Sequence, residues 1–313
     1  MRDAFLRVLT GLAPSHPELV LLSGDLGFGV LDEFRARFPR QFVNVGVAEQ
    51  NMTGLAAGLA LEGRTVFTYS IGNFPTLRCL EQIRNDVCYH AANVKIVAVG
   101  GGLSYGPVGM SHHATEDLAA LRALPGLAVY APGDVWEAAE ITRHLLVTSG
   151  PAYLRLDKSA ARVTHQVDDT LIPGGIRTVR AGNDVTIAAS GGILGEALAA
   201  ADRLAAEGIR ARVLSVHTVK PLERATLARA ARETGGIVTV EEHNVDGGVG
   251  GAIAEALLEE GAAPRWFWRI GLRDTFSDAV GSQAYLREVY GLGATAIAAA
   301  VAARWKRAAF SAA

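Results

Sequence analysis

The feature that most limits the fold of this chain is a series of short apolar runs without polar alternation, separated by helical stretches. Residues 18–23, 42–47, 65–70, 94–100, 127–131 and 153–157 read as strands, and 48–61, 76–90, 115–123 and 135–148 read as helices. Runs such as LVLLSG and VKIVAVGG are apolar on both faces, the pattern of a strand covered on both sides. The alternation predicts a mostly parallel sheet between two helix layers. Over residues 161–183 the periodicity fades among Pro173, Gly174, Gly175 and Gly182, as in a linker. It restarts with strands at 184–190, 212–216 and 236–241 and helices at 194–206, 222–233 and 248–260. The expected architecture is α/β: two doubly wound, mostly parallel-sheet domains, at 1–160 and 184–313.

Composition narrows the function classes. The 313 residues are enough for two domains. Thirty Lys and Arg against thirty-two Asp and Glu leave a net charge of −2 and no basic surplus for a phosphate backbone, so nucleic acid is not an expected partner. No apolar run reaches the ~18 residues of a membrane span, and the alanine-rich stretch 294–303 reads as a packed C-terminal helix. Arg2, Asp3 and Arg7 interrupt any signal-like stretch, so a cytoplasmic location without a membrane partner is expected. Cys79 and Cys88 read as reduced thiols, not as a bridge or a metal pair, and no metal site is expected on this chain.

In an open α/β sheet the ligand lies beyond the carboxyl ends of the strands, which directs attention to four loops. Glu49 stands just past an apolar strand, at the start of a helix. An acidic residue there answers the helix dipole, and a partly desolvated carboxyl also suits sharing a proton with a ring nitrogen. Tyr69 and Phe74 follow the next strand and read either as core or as flat apolar partners for a ring. In GGGLSYGPVGMSHHATED, five glycines precede His112 and His113, whose adjacent side chains point apart and lack a metal-ligand set. Asp25, in SGDLG, has the look of turn chemistry. The glycines at 247, 248, 250 and 251 do not form a dinucleotide fingerprint and read as close helix–sheet packing, and Glu241, Glu242 and His243 receive no catalytic role.

Taken together, MRDAF…GDLG, GVAEQNMTGLAAGLALEGRTVF, the aromatic loop ending LEQIRND, GMSHHATEDLAALRALPG and VYAPGD resemble, in order and spacing, the second half of transketolase-type thiamine diphosphate enzymes. That half is a pyrimidine-binding domain followed by the small C-terminal domain, and the resemblance covers almost the whole chain. It implies thiamine diphosphate as cofactor, gripped here by its pyrimidine end. A carboxylate bonded to the pyrimidine N1′ favours the imino tautomer that removes the thiazolium C2 proton, and Glu49 falls at this position. His112 falls where the family has a histidine that bonds the substrate, with His113 as its neighbour. The resemblance further implies Phe74, ahead of Tyr69, as the stacking partner of the pyrimidine, and Asp25 beside the thiazolium. An aromatic often found before the acid–Gln pair is Leu80 here. Arg2 and Lys158 fall on the two basic positions that hold a sugar phosphate, whereas Gly29, Gly100 and Val108 replace polar ones. A differently held anionic end is therefore expected.

No Gly-Asp-Gly motif, which supports Mg²⁺ in this family, occurs in the chain. The resemblance thus implies a separate N-terminal, diphosphate-binding subunit of about 270–300 residues that supplies Mg²⁺, and an α2β2 assembly active only in that company. The implied reaction moves a two-carbon ketol unit from a ketose to an aldose. The alternatives are the β subunit of a 2-oxoacid dehydrogenase or a 1-deoxyxylulose-phosphate-synthase-like enzyme and, in another class, a non-catalytic binding or scaffold relative.

Overall fold

A computed structural model describes residues 1–159, 161–165 and 169–310. Twelve strands form two sheets among the described residues: β1 (Leu19–Ser23), β2 (Phe42–Asn44), β3 (Thr65–Ile71), β4 (Val94–Val99), β5 (Ala128–Tyr130), β6 (Ala152–Leu156), β7 (Arg177–Arg180), β8 (Val185–Ser190), β9 (Ala211–Ser215), β10 (Thr218–Lys220), β11 (Ile237–Asn244) and β12 (Phe267–Leu272). The first sheet runs β10-β5-β6-β4-β3-β1-β2 and is parallel except for β10. The second runs β12-β11-β8-β9-β7 and is parallel except for β7. Strands β1, β4, β6 and β8 are buried along their whole length, Lys95 of β4 and Arg155 of β6 included.

Helices cover both faces of the first sheet. Phe5 and Leu9 of helix Arg2–Leu12 pack with Ile141 and Leu145 of helix Val135–Val147 on one face. Met52 and Ala56 of helix Glu49–Leu61 pack with Ile83 and Leu118 on the other. Each large side chain so buried contributes roughly 1.5–3 kcal/mol. The second of these cores continues into Ala188, Leu214, Val216 and Ile253, so the two sheets share it.

Three differences from the sequence reading have physical causes. The stretch read as a linker contains β7, an edge strand whose Arg177 and Arg180 hide it from a search for apolar runs. Residues 218–220, from the second half, extend the first sheet as β10. The continuous helix expected over 76–90 is a 3₁₀ turn (Leu77–Cys79), a single α turn (Leu80–Gln82) and a π-helical stretch (Ile83–Cys88). By length and hydropathy alone, Gln283–Ala308 could cross a membrane. It is divided into helices Gln283–Val289 and Ala294–Phe310, and half of its apolar window is buried, with Ile297 and Val301 in the core of the second sheet. Cys79 and Cys88 are free thiols.

Candidate active site

The loops that follow β1, β2, β3 and β4 meet at one end of the first sheet. Strand β2 stops at Asn44 because that side chain turns to the neighbouring loop. Its Oδ1 accepts from the backbone N–H of Asp25 and of Gly46, both at 3.0 Å, and its Nδ2 donates to Asp25 Oδ1 at 2.8 Å. The chain then enters helix Glu49–Leu61, and Glu49, its first residue, is only 1% exposed. Glu49 Oε1 accepts from Ser70 Oγ at 3.1 Å, and Oε2 accepts from Arg78 Nη1 at 2.8 Å. A Cβ on Gly24 would stand 3.3 Å from Oε1, so a residue without one lets the loop after β1 close over the carboxylate.

From Glu49 a row of side chains runs along the mouth. The Arg78 guanidinium lies 4.6 Å from the Phe74 ring centre. Phe74 meets His112 edge-on at 5.1 Å, and His112 lies 6.2 Å from Tyr105. The Lys158 ammonium sits 4.0 Å above the Tyr105 ring. His112 Nδ1 is 3.0 Å from Ser111 Oγ. Gly100 makes this arrangement possible. Its φ is +96°, and a Cβ there would come within 2.1 Å of the Tyr105 ring, which fills the space. Burial pushes the Tyr105 phenol pKa up, while the nearby Arg2 charge draws it down. Among the described residues no carboxylate pairs with Lys158.

The structure thus brings Glu49, Phe74, His112 and Lys158 into one line. Arg2 approaches its far end, pairs with Asp3 at 2.9 Å, and lines an open cleft of about 600 Å³ together with Arg7, Gly29, Glu33 and Arg37. Asp25 stands beside Glu49's loop at φ +59°, held by Asn44. Two expected residues lie elsewhere. Tyr69 alternates with Ser70 along β3 and so faces the opposite side of the sheet, stacked on Phe5 at 6.4 Å, where burial pushes its phenol well up. His113 turns inward, buried, with a pKa lowered by desolvation. Three residues escaped the sequence reading: Ser70, Arg78 and Tyr105.

Comparison with known proteins agrees with this layout. Residues 1–164 match the family described as "Transketolase, pyrimidine binding domain", and 174–297 match "Transketolase, C-terminal domain". The chain is 38% identical over 298 residues to "6-deoxy-6-sulfo-D-fructose transketolase subunit SqwH" of Clostridium sp. (strain MSTE9), covering 95% of this chain and 92% of that one. It is 41% identical over 301 residues to "1-deoxy-D-xylulose-5-phosphate synthase" of Heliobacterium modesticaldum (strain ATCC 51547 / Ice1), covering 95% of this chain but 46% of that one. A solved structure titled "Split gene transketolase, inactive beta4 tetramer" superposes with a TM-score of 0.89 at 39% identity, covering 97% of this chain and 98% of that one. The chain belongs to the transketolase family, as a subunit of the split kind that carries the pyrimidine-binding and C-terminal domains.

Proposed function

We propose that this chain is the pyrimidine-gripping subunit of a thiamine diphosphate-dependent transketolase that moves a two-carbon ketol unit from a ketose to an aldose. The observation that carries the reading is the continuous row Glu49–Arg78–Phe74–His112–Tyr105–Lys158, from a buried carboxylate to a cation with no carboxylate partner among the described residues. The residues fit the cofactor: a buried acceptor aimed at the loop crevice and an aromatic face beside it. When bound, thiamine diphosphate supplies the carbanion chemistry. Glu49 holds a proton at the pyrimidine N1′. Phe74 offers its face to the ring, and Asp25 stands near the thiazolium side. His112 donates to the substrate oxygen where charge develops. Arg2 and Lys158, with Tyr105 between them, take the anionic end of a sugar, either a phosphate or a sulfonate.

Residues 1–160 form the cofactor-gripping unit, and the C-terminal unit, expected from 184 to 313, takes in β7 of the connecting stretch 161–183 as well. Mg²⁺ and the diphosphate grip come from a partner N-terminal subunit in an α2β2 assembly. Phe28, Val47, Val108 and Met110 expose apolar surface on the loops around the mouth, as a face awaiting a second chain would. A cytoplasmic location accompanies this reading. The test mixes the chain with its partner subunit, Mg²⁺, thiamine diphosphate, a ketose and an aldose, and follows ketol transfer. Full activity of the chain alone overturns the reading. Release of CO₂ from a 2-oxoacid donor in place of ketose cleavage would instead favour the synthase-like alternative.

A further inference from the structure

Arg78 makes two contacts at once. It donates to the Glu49 carboxylate at 2.8 Å and lies over the face of Phe74 at 4.6 Å. These are the acceptor and the ring face assigned above to the aminopyrimidine, and the inference rests on that assignment. We propose that Arg78 and the aminopyrimidine compete for one seat, so that Arg78 must swing out as the cofactor enters and thereby sets cofactor affinity.

A guanidinium and a pyrimidine protonated at N1′ share their recognition chemistry: both are flat, cationic and present an N–H donor. A site built for one therefore receives the other. Glu49 is buried, and Ser70 donates only to Oε1, so Oε2 calls for a donor of its own, which either Arg78 or the pyrimidine can supply. Ser70 cannot leave, because it belongs to β3 and is fully buried. Arg78 can leave, because its side chain is 46% exposed and springs from the 3₁₀ turn Leu77–Cys79. Its backbone stays in place through Gln50 Nε2, which donates to the Arg78 carbonyl at 3.1 Å. The movement is thus confined to one side chain and disturbs no core packing.

The test measures thiamine diphosphate dissociation constants by calorimetry, in the presence of Mg²⁺, for the complex of this chain with its partner subunit. Arg78→Ala removes the competitor, and affinity is expected to rise roughly 5- to 30-fold, the combined size of a half-exposed ion pair and a cation–π contact. Arg78→Lys keeps the charge but not the flat plate, and should fall between the two. It also serves if the alanine chain does not fold. In the cofactor-free chain, the Arg78 Nε–H resonance should shift in both Glu49→Gln and Phe74→Ala. Unchanged or weaker binding by Arg78→Ala, or a resonance indifferent to both substitutions, overturns this inference alone. A complex that binds no thiamine diphosphate in any variant overturns the cofactor reading and this inference with it.

Discussion

Two of the buried charge clusters among the described residues are built differently. At the mouth, the Glu49 carboxylate is buried but its cationic partner, Arg78, is half exposed. At the seam between the two sheets, both signs are buried. Arg155 lies 3.4 Å from Asp117 and 3.7 Å from Asp157, and it donates to the Glu242 carbonyl at 2.9 Å. Glu242 in turn accepts from Arg287 and Gln283 and from the backbone N–H of Leu103, the last at 2.6 Å. Tyr153 donates to Asp117 at 2.5 Å, and the Gly192 N–H donates to Asp157. The seam pairs its charges from within at ion-pair distance, with Arg155 Nε, Asp117 Oδ1 and Asp157 Oδ1 buried without a hydrogen bond of their own, and joins segments far apart in sequence. The mouth leaves one partner free to go. An exchangeable partner is what a binding site requires, and an enclosed network is what a fixed interface between sheets requires.

The contrast can be broken by substitution at each cluster. The largest effect is expected at the mouth. Glu49→Ala should lower ketol transfer by the assembled enzyme at least ~100-fold, the usual yield of a positioned acid–base group. The melting temperature of the chain should not fall, because a buried charge is removed along with its desolvation cost. Undiminished transfer by this variant would sink the role given to Glu49. The seam should respond the other way. Arg155→Met leaves Asp117 and Asp157 buried and uncompensated, and a loss of about 3–5 kcal/mol is expected in denaturant unfolding. The thiamine diphosphate affinity of the folded complex should stay unchanged. A loss of affinity without a loss of stability would reverse the two assignments.

A smaller effect tests how dry the seam region is. His217, just before β10, is buried, and desolvation pulls its pKa down to about 4 from 6.5. Above pH 6.5 it is neutral folded or unfolded and contributes no pH dependence. As pH falls from 6.5 towards 4, the unfolded chain takes a proton that the folded one refuses, so stability is lost across that window. His243, likewise pulled down to about 4, acts in the same direction. Glu241, pushed up to about 7 by burial, acts oppositely: its stabilisation is full below 4.5 and lost as pH rises through 7. His217→Asn should therefore flatten the acid side of the stability profile by roughly 1–3 kcal/mol between pH 6.5 and 4. Superimposable profiles for the two proteins would show that His217 titrates freely.

How much of this was legible in the sequence depends on which signal an element sends. The buried parallel strands announce themselves as apolar runs, and all of them were found. Strands β7, β10 and β12 are edges, short or charged or half exposed, and have no such run. Glu49, Phe74 and His112, each expected from its place after a strand end and from the resemblance, stand together at the mouth. Tyr69 was expected beside Phe74, but β3 alternates: once Ser70 faces Glu49, Tyr69 must face away. Tyr105 was invisible for a different reason. What brings it to the mouth is a missing side chain at Gly100, a residue 5 positions earlier that reads in sequence only as lost polarity.

That absence leads to the smallest and most specific effect. If Gly100 has given its place to Tyr105, the anion grip consists of a phenol, the Lys158 ammonium stacked on it and Arg2 nearby. Lys158, like Arg78, is an exposed cation, and so belongs with the mouth and not with the seam. Lys158→Met should raise KM for an acceptor with a phosphate or sulfonate end roughly 10-fold, as for one lost charged hydrogen bond, while kcat holds. Tyr105→Phe should raise it only several-fold, because the ring that carries Lys158 remains and just the hydroxyl is gone. Neither variant should alter KM for an uncharged aldose. An equal rise for charged and uncharged acceptors would mean that Tyr105 and Lys158 only shape the mouth, and the grip would then rest on Arg2 and its cleft.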